Sequence, residues 1–163
     1  MKLYHLHAKQ ALPISSSEAW QFLSNPHNLK HLTPKEMDFT ILSGADRPLY
    51  AGQIIQYRVK PLPGFSTKWV SEITQVEEGD YFVDEQLYGP YALWHHKHFI
   101  TVIDGGVVME DLIHYKIPFG FLGQLLHPVL VKKELLKIFE YREVQLENRF
   151  GKMPNYQNSL ILN

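Results

Sequence analysis

Along most of the chain apolar residues alternate with polar ones in short runs, whereas after Pro118 they recur every third or fourth position. The first run, Leu3 to Leu12, predicts a strand that Pro13 ends. Ser15-Ser16-Ser17-Glu18 then has capping-box spacing, in which a serine hydroxyl and a glutamate three residues on satisfy free N–H groups of a first helical turn. A short helix through Trp20, Phe22 and Leu23 follows. Asn25-Pro26 breaks it, and Asn28 to Leu32 supplies one more turn before Thr33-Pro34 stops the chain again. Strands are predicted next over Met37–Ser43, Gln53–Lys60, Thr67–Val76, Tyr81–Tyr88, Trp94–Ile103 and Val107–Ile117. The turn signals Pro61-Leu62-Pro63-Gly64, Glu78-Gly79, Gly89-Pro90 and Asp104-Gly105 leave connections so short that the strands form an antiparallel meander.

Beyond Pro118, Leu122, Leu125, Leu126, Val129, Leu135, Leu136, Phe139, Leu146 and Phe150 fall at helical spacings in a Lys- and Glu-rich stretch. This predicts a long amphipathic helix interrupted near Pro128, with the Leu122 to Val131 stripe assigned to core packing, although a dimer or membrane-surface face has the same pattern. The order implies an α+β domain: a curved antiparallel sheet of six to seven strands wrapped around a long C-terminal helix, with two short helices after the first strand. A length of 163 residues suits one domain, read as 1–151, with 152–163 as a poorly ordered tail. Pro118, Gly120 and Gly123 read either as a flexible entrance beside the helix or as ordinary helix-start geometry.

Composition narrows the function. Sixteen Lys plus Arg against 17 Asp plus Glu give a net charge of -1 with no long run of either sign, which argues against nucleic acid. There is no Cys, so disulfides, thiolate metal sites and a Cys nucleophile are excluded. No apolar run approaches the roughly 20 residues of a membrane span, and the polar N-terminal segment lacks a signal-peptide core, so a cytoplasmic protein is expected. No Gly-x-Gly-x-x-Gly loop follows a strand, and no cofactor is implied. A homodimer stays open.

A two-residue turn at Asp104-Gly105 fixes which side chains share a face, because it pairs even-numbered positions with odd-numbered ones. Trp94, His96, His98 and Ile100 then join Met109, Asp111, Ile113 and Tyr115 on the more apolar, inward face, with His98 opposite Asp111 and Trp94 opposite Tyr115. His95, Lys97, Phe99, Glu110, Leu112, His114 and Lys116 take the other face. At Glu78-Gly79 the same reasoning groups Trp69, Ser71 and Ile73 with Phe82, Asp84, Gln86 and Tyr88, though the opposite face is nearly as apolar.

The pattern resembles the START-like, helix-grip superfamily, also called SRPBCC, over nearly the whole chain. Leu12-Pro13, Asn25-Pro26-His27-Asn28-Leu29, Thr33-Pro34, Asp84-Glu85-Gln86, Gly89-Pro90-Tyr91, Trp94-His95-His96-Lys97-His98, Asp111, Tyr115 and Pro118-Phe119-Gly120 are similar to a bacterial subgroup of uncharacterised members. The resemblance implies a cavity between sheet and helix for a small hydrophobic or amphipathic molecule. The superfamily includes carriers, lipid-transfer domains and polyketide cyclases, so activity has to be argued from the site.

Tyr57, Trp69, Trp94 and Tyr115 suit the apolar walls of such a pocket, and Gln86, His96, His98 and Asp111 its polar anchors. The plainer alternative is a filled aromatic core. His96, His98 and Asp111 form the sharpest signal: an inward His–carboxylate contact orients a ligand or, with His98 or His96 as acid-base partner of Asp111, supports a cyclase- or dehydratase-like reaction. The same contact is also an ordinary structural hydrogen bond. His96, His98 and Asp111 have metal-ligand chemistry too, but without a second motif no metal ligands are assigned. Three functions therefore stand: a non-enzymatic binding or carrier module, an enzyme in the same cavity, and a protein-interaction module with a filled core.

Overall fold

β1 (Tyr4–Leu12) enters the sheet directly, and Ser15 caps the following helix by accepting the Glu18 N–H at 3.2 Å. The computed structural model describes residues 2–62 and 64–163. Helix α1 (Ser16–Leu23) gives way at Asn25-Pro26 to a tight turn and a single helical turn, α2 (Leu29–Leu32). Strands β2 (Thr40–Ser43), β3 (Gln53–Leu62), β4 (Phe65–Glu77), β5 (Tyr81–Tyr88), β6 (Leu93–Ile103) and β7 (Gly106–Lys116) follow as an antiparallel meander. Of the turn expected at Pro61-Leu62-Pro63-Gly64, Pro63 lies outside the described residues, as does Met1; β3 and β4 meet at the Leu62–Phe65 pair.

The sheet has eight strands in the order β2-β3-β4-β5-β6-β7-β1-β8. The eighth, β8 (Ser159–Leu162), corrects the expectation of a poorly ordered tail over 152–163: it pairs with β1 from Leu6–Leu162 to Lys9–Ser159. Leu162 is buried against Tyr4, Leu6 and Leu135, and Asn158 ties the approach to helix and sheet by bonding Glu143, Glu147 and the Ala11 N–H. Four residues are short for a strand signal, and the preceding polar stretch masks them.

Over the concave face lies α4 (Lys132–Phe150), with Leu135, Phe139, Arg142 and Leu146 buried at spacings of one helical turn. Burying each apolar member of that stripe contributes roughly 1.5–3 kcal/mol. Before it runs α3 (Gly120–Leu126), joined through a wide turn over His127–Val131 in which the Lys132 N–H reaches the His127 carbonyl. The widening accommodates Pro128, which lacks an N–H and would otherwise strike the carbonyl one turn back. The break expected at Pro128 is thus a bulge within a continuing helix.

The Leu122 to Val131 stripe is not core. Phe121 is 78% and Leu125 64% exposed, and Leu122, Leu126 and Val129 are exposed as well. Of the two glycines near the start of this segment, Gly123 has a clear requirement: a Cβ there would collide with the Pro118 carbonyl oxygen.

Candidate functional site

The Asp104-Gly105 turn brings β6 and β7 into the expected register, with His98 opposite Asp111 and Trp94 opposite Tyr115. The inward assignment also holds, since His96, His98, Ile100, Met109, Asp111, Ile113 and Tyr115 are all buried. On the other side of β6, strand β5 places Phe82 opposite His98 and Asp84 opposite His96. Two rows therefore cross the concave face, Asp84–His96–Ile113 and Phe82–His98–Asp111, and the two carboxylates stand on opposite flanks of a pair of imidazoles.

Both histidines use both ring nitrogens toward these carboxylates. His96 Nε2 is 3.0 Å from Asp111 Oδ1, and its Nδ1 is 3.6 Å from Asp84 Oδ1. His98 Nε2 is 3.0 Å from Asp84 Oδ1, while its Nδ1 comes within 2.9 Å of Asp111 Oδ1 but off the line that a hydrogen bond needs, so that contact is chiefly electrostatic. Arg142 on α4 reaches the same Asp111 oxygen at 3.2 Å. The rings are held by stacking, with His96 and His98 centroids 3.7 Å apart and Phe82 lying 4.1 Å from His98 at 17°.

Charge is distributed unevenly across this group. Burial lowers the His96 imidazole from its ordinary range, and neighbouring His98 lowers it further. Burial opposes the His98 imidazolium as well, but Asp111 and Asp84 together outweigh it and raise that group. Burial likewise works against the Asp111 carboxylate, yet the Arg142 guanidinium, aided by both imidazoles, holds it well below the usual carboxylate range.

A cavity of about 210 Å³ opens in front of this group, walled by α1, α2, α4 and the strands from β3 to β6. Tyr57, Trp69, Trp94, His96 and His98 line it as expected. Three expected members do not. Gln86 is turned away, donating to the Tyr91 carbonyl at 2.7 Å and accepting the Tyr91 N–H at 3.2 Å, which fixes the loop between β5 and β6. Tyr115 is fully buried beneath Tyr4, its hydroxyl hydrogen-bonded with His127 Nε2 at 2.7 Å, and Asp111 stands behind the imidazoles rather than on the wall. Facing inward is not the same as facing the cavity, because α4 and the turn at His127 cover part of the face.

Asp84 and Arg142 are the additions. A register shift between Ile73 and Gln75 sets Asp84 opposite Ile73 on the inward face, and the β5–β6 register sets it directly beside His96. Arg142 completes the stripe Leu135, Phe139, Arg142, Leu146, a spacing that marks it as inward despite its charge. Tyr88, expected to share this face, is 63% exposed, because the register shift between Val70 and Ser71 moves it opposite Val70. Neither Gly120 nor Gly123 borders the cavity, whereas the α1–α2 excursion from Phe22 to Met37 does.

No protein-family model matches the chain, and no curated protein matches it in sequence. Solved structures do match in shape. Protein TTHA0849 from Thermus thermophilus superposes with a TM-score of 0.68 at 14% identity, covering 89% of this chain and 95% of that one. The aromatase/cyclase Zhui from Streptomyces sp. R1128 gives 0.67 at 11% identity, over 91% and 96%. Ginseng major latex-like protein 151 from Panax ginseng gives 0.66 at 12% identity, over 91% and 97%. The shared fold is a helix grip, an antiparallel sheet around a long C-terminal helix. In helix-grip terms, α4 is the gripped helix, and the polar group sits where its buried Arg142 meets the middle of the sheet. No helix among the described residues is long and apolar enough to cross a membrane.

Proposed function

We propose that the protein binds a small, mostly apolar molecule of one or two rings in the cavity between sheet and α4. The supporting observation is the cavity itself: largely aromatic and aliphatic walls surround a polar cluster, Asp84, His96 and His98, available to a ligand's oxygen or nitrogen. Its volume of about 210 Å³ exceeds the roughly 150 Å³ that accommodates benzene, and it is far too small for a diacyl lipid. Titration with 2-naphthol, followed through the fluorescence of Trp69 and Trp94, is expected to saturate with 1:1 stoichiometry. Ile73→Phe, which fills the wall behind the site, is expected to weaken binding at least tenfold while the protein retains a cooperative melt. Non-saturating quenching that is identical in wild type and variant would sink this reading.

A second reading is a cyclase- or dehydratase-like enzyme in the same cavity. It is favoured by the opposite displacement of two adjacent imidazoles, His96 downward and His98 upward, which sets out a base and an acid side by side. Retention of the probe without turnover marks the carrier, whereas turnover with a bell-shaped pH profile marks the enzyme.

A further inference from the structure

The geometry points to a binding site for a divalent transition-metal ion formed by Asp84, His96 and His98 on the cavity wall. Their donor atoms lie within 4.8 Å of one another. Asp84 Oδ1 is 3.0 Å from His98 Nε2 and 3.6 Å from His96 Nδ1. Metal–ligand bonds of about 2.0–2.1 Å place neighbouring donors about 3.3 Å apart in a tetrahedron and about 2.9 Å apart in an octahedron. The two spacings from Asp84 Oδ1 bracket the tetrahedral value, and the third pair of donors lies within 4.8 Å, so an ion draws the two imidazole nitrogens together as it binds.

The second, independent observation is what lies behind the imidazoles. The nitrogens facing away from Asp84, His96 Nε2 and His98 Nδ1, both meet Asp111 Oδ1, at 3.0 and 2.9 Å. A metal-bound imidazole characteristically gives its remote N–H to a carboxylate that fixes its tautomer and orientation; Asp111 stands in that place for His96, while its contact with His98 Nδ1 is electrostatic. Arg142 anchors that carboxylate from the far side at 3.2 Å, and stacking on Phe82 holds the His98 ring plane. Asp84 is therefore the ligating carboxylate and Asp111 the positioning one, the reverse of the weight that the sequence gives them.

Two imidazoles and one carboxylate suit zinc, ferrous iron or cobalt rather than calcium or magnesium, which prefer all-oxygen sites. Three protein donors leave at least one coordination position vacant, and all three side chains border the cavity while Asp111 does not. The vacant position thus faces the apolar walls, where a ligand oxygen or a water would complete the shell. Metal binding does not depend on the organic-ligand reading, because its donors and their support all belong to the protein.

The test is titration of the purified, chelator-treated protein with Zn²⁺ by calorimetry and with Co²⁺ by visible absorption. One equivalent is expected to bind with micromolar or tighter affinity, and Co²⁺ to show the d–d bands of a low-coordinate site. On ¹⁵N-labelled wild type, Zn²⁺ should shift the resonances of His96 Nδ1 and His98 Nε2 and leave His95 and His114 unmoved. Asp84→Asn is expected to weaken Zn²⁺ at least a hundredfold, while His114→Ala leaves it unchanged. The inference is overturned if 1 mM Zn²⁺ leaves the His96 and His98 resonances in place, or if binding tracks His95 and His114. The resonance measurement decides the matter on wild type even where Asp84→Asn fails to fold.

Discussion

Asp111 Oδ1 has His96, His98 and Arg142 within 3.2 Å, so a single buried oxygen organises three basic groups. Asp111→Asn keeps the shape but removes the charge, leaving His98 and Arg142 to face a neutral amide in a buried setting. Uncompensated burial of that kind costs about 3–5 kcal/mol, and urea unfolding should show a midpoint shift of that size with an unchanged denaturant slope. This contact is legible in the sequence because the Asp104-Gly105 turn fixes parity, and parity alone sets His98 opposite Asp111. The same parity argument puts Gln86 and Tyr115 in the pocket, but it says nothing about which inward residues a helix then covers. Asp84 has the right face in the sequence and lacks only its neighbour, which the β5–β6 register supplies.

At the scale of elements, alternation and turn residues locate β1 and β3 to β7 closely, whereas β8 escapes because four residues carry too little pattern. Yet β8 is firmly part of the sheet. Leu162 is 6% exposed among Tyr4, Leu6 and Leu135, and His5 and Asn163 exchange two backbone hydrogen bonds at 3.0 and 3.1 Å. Leu162→Ala should therefore cost about 2–3 kcal/mol, as for other buried leucines, rather than the few tenths of a surface change. A thermal melt of the variant that coincides with wild type would show the strand to be energetically idle. The α3 stripe illustrates the opposite error: helical spacing predicts the helix, but periodicity describes a face without saying whether anything lies against it.

For the whole molecule, stability couples to pH through several imidazoles of differing sign. His127, lowered chiefly by burial and then by Lys132 and Lys2, is hydrogen-bonded with the Tyr115 hydroxyl, and His96 is lowered too. Groups lowered in the folded state bind more protons when unfolded, so their contribution is intact above about pH 6.5 and declines as pH falls through the folded value. His98 runs the other way: its contribution is complete below about pH 6.5 and is lost as pH rises through its raised value. His127→Gln keeps a hydrogen-bonding partner for Tyr115 but cannot titrate, so the fall in unfolding free energy between pH 6.5 and pH 5 should be shallower than in wild type. Equal slopes in urea titrations across that range would remove His127 from the account.

The pairing of β1 with β7 carries a kinetic consequence. Strands β2 to β7 each find a partner next to them in the chain, so those hairpins form on local contacts, but even the nearest β1–β7 pair, Leu12 with Val107, spans most of the sequence. Closing a loop of that length costs on the order of 4 kcal/mol of chain entropy before any contact repays it. Until that closure, β7 is an unpaired edge beside an uncovered apolar face, and the chain passes through a state whose exposed hydrogen-bonding groups can pair with another copy as readily as with β1.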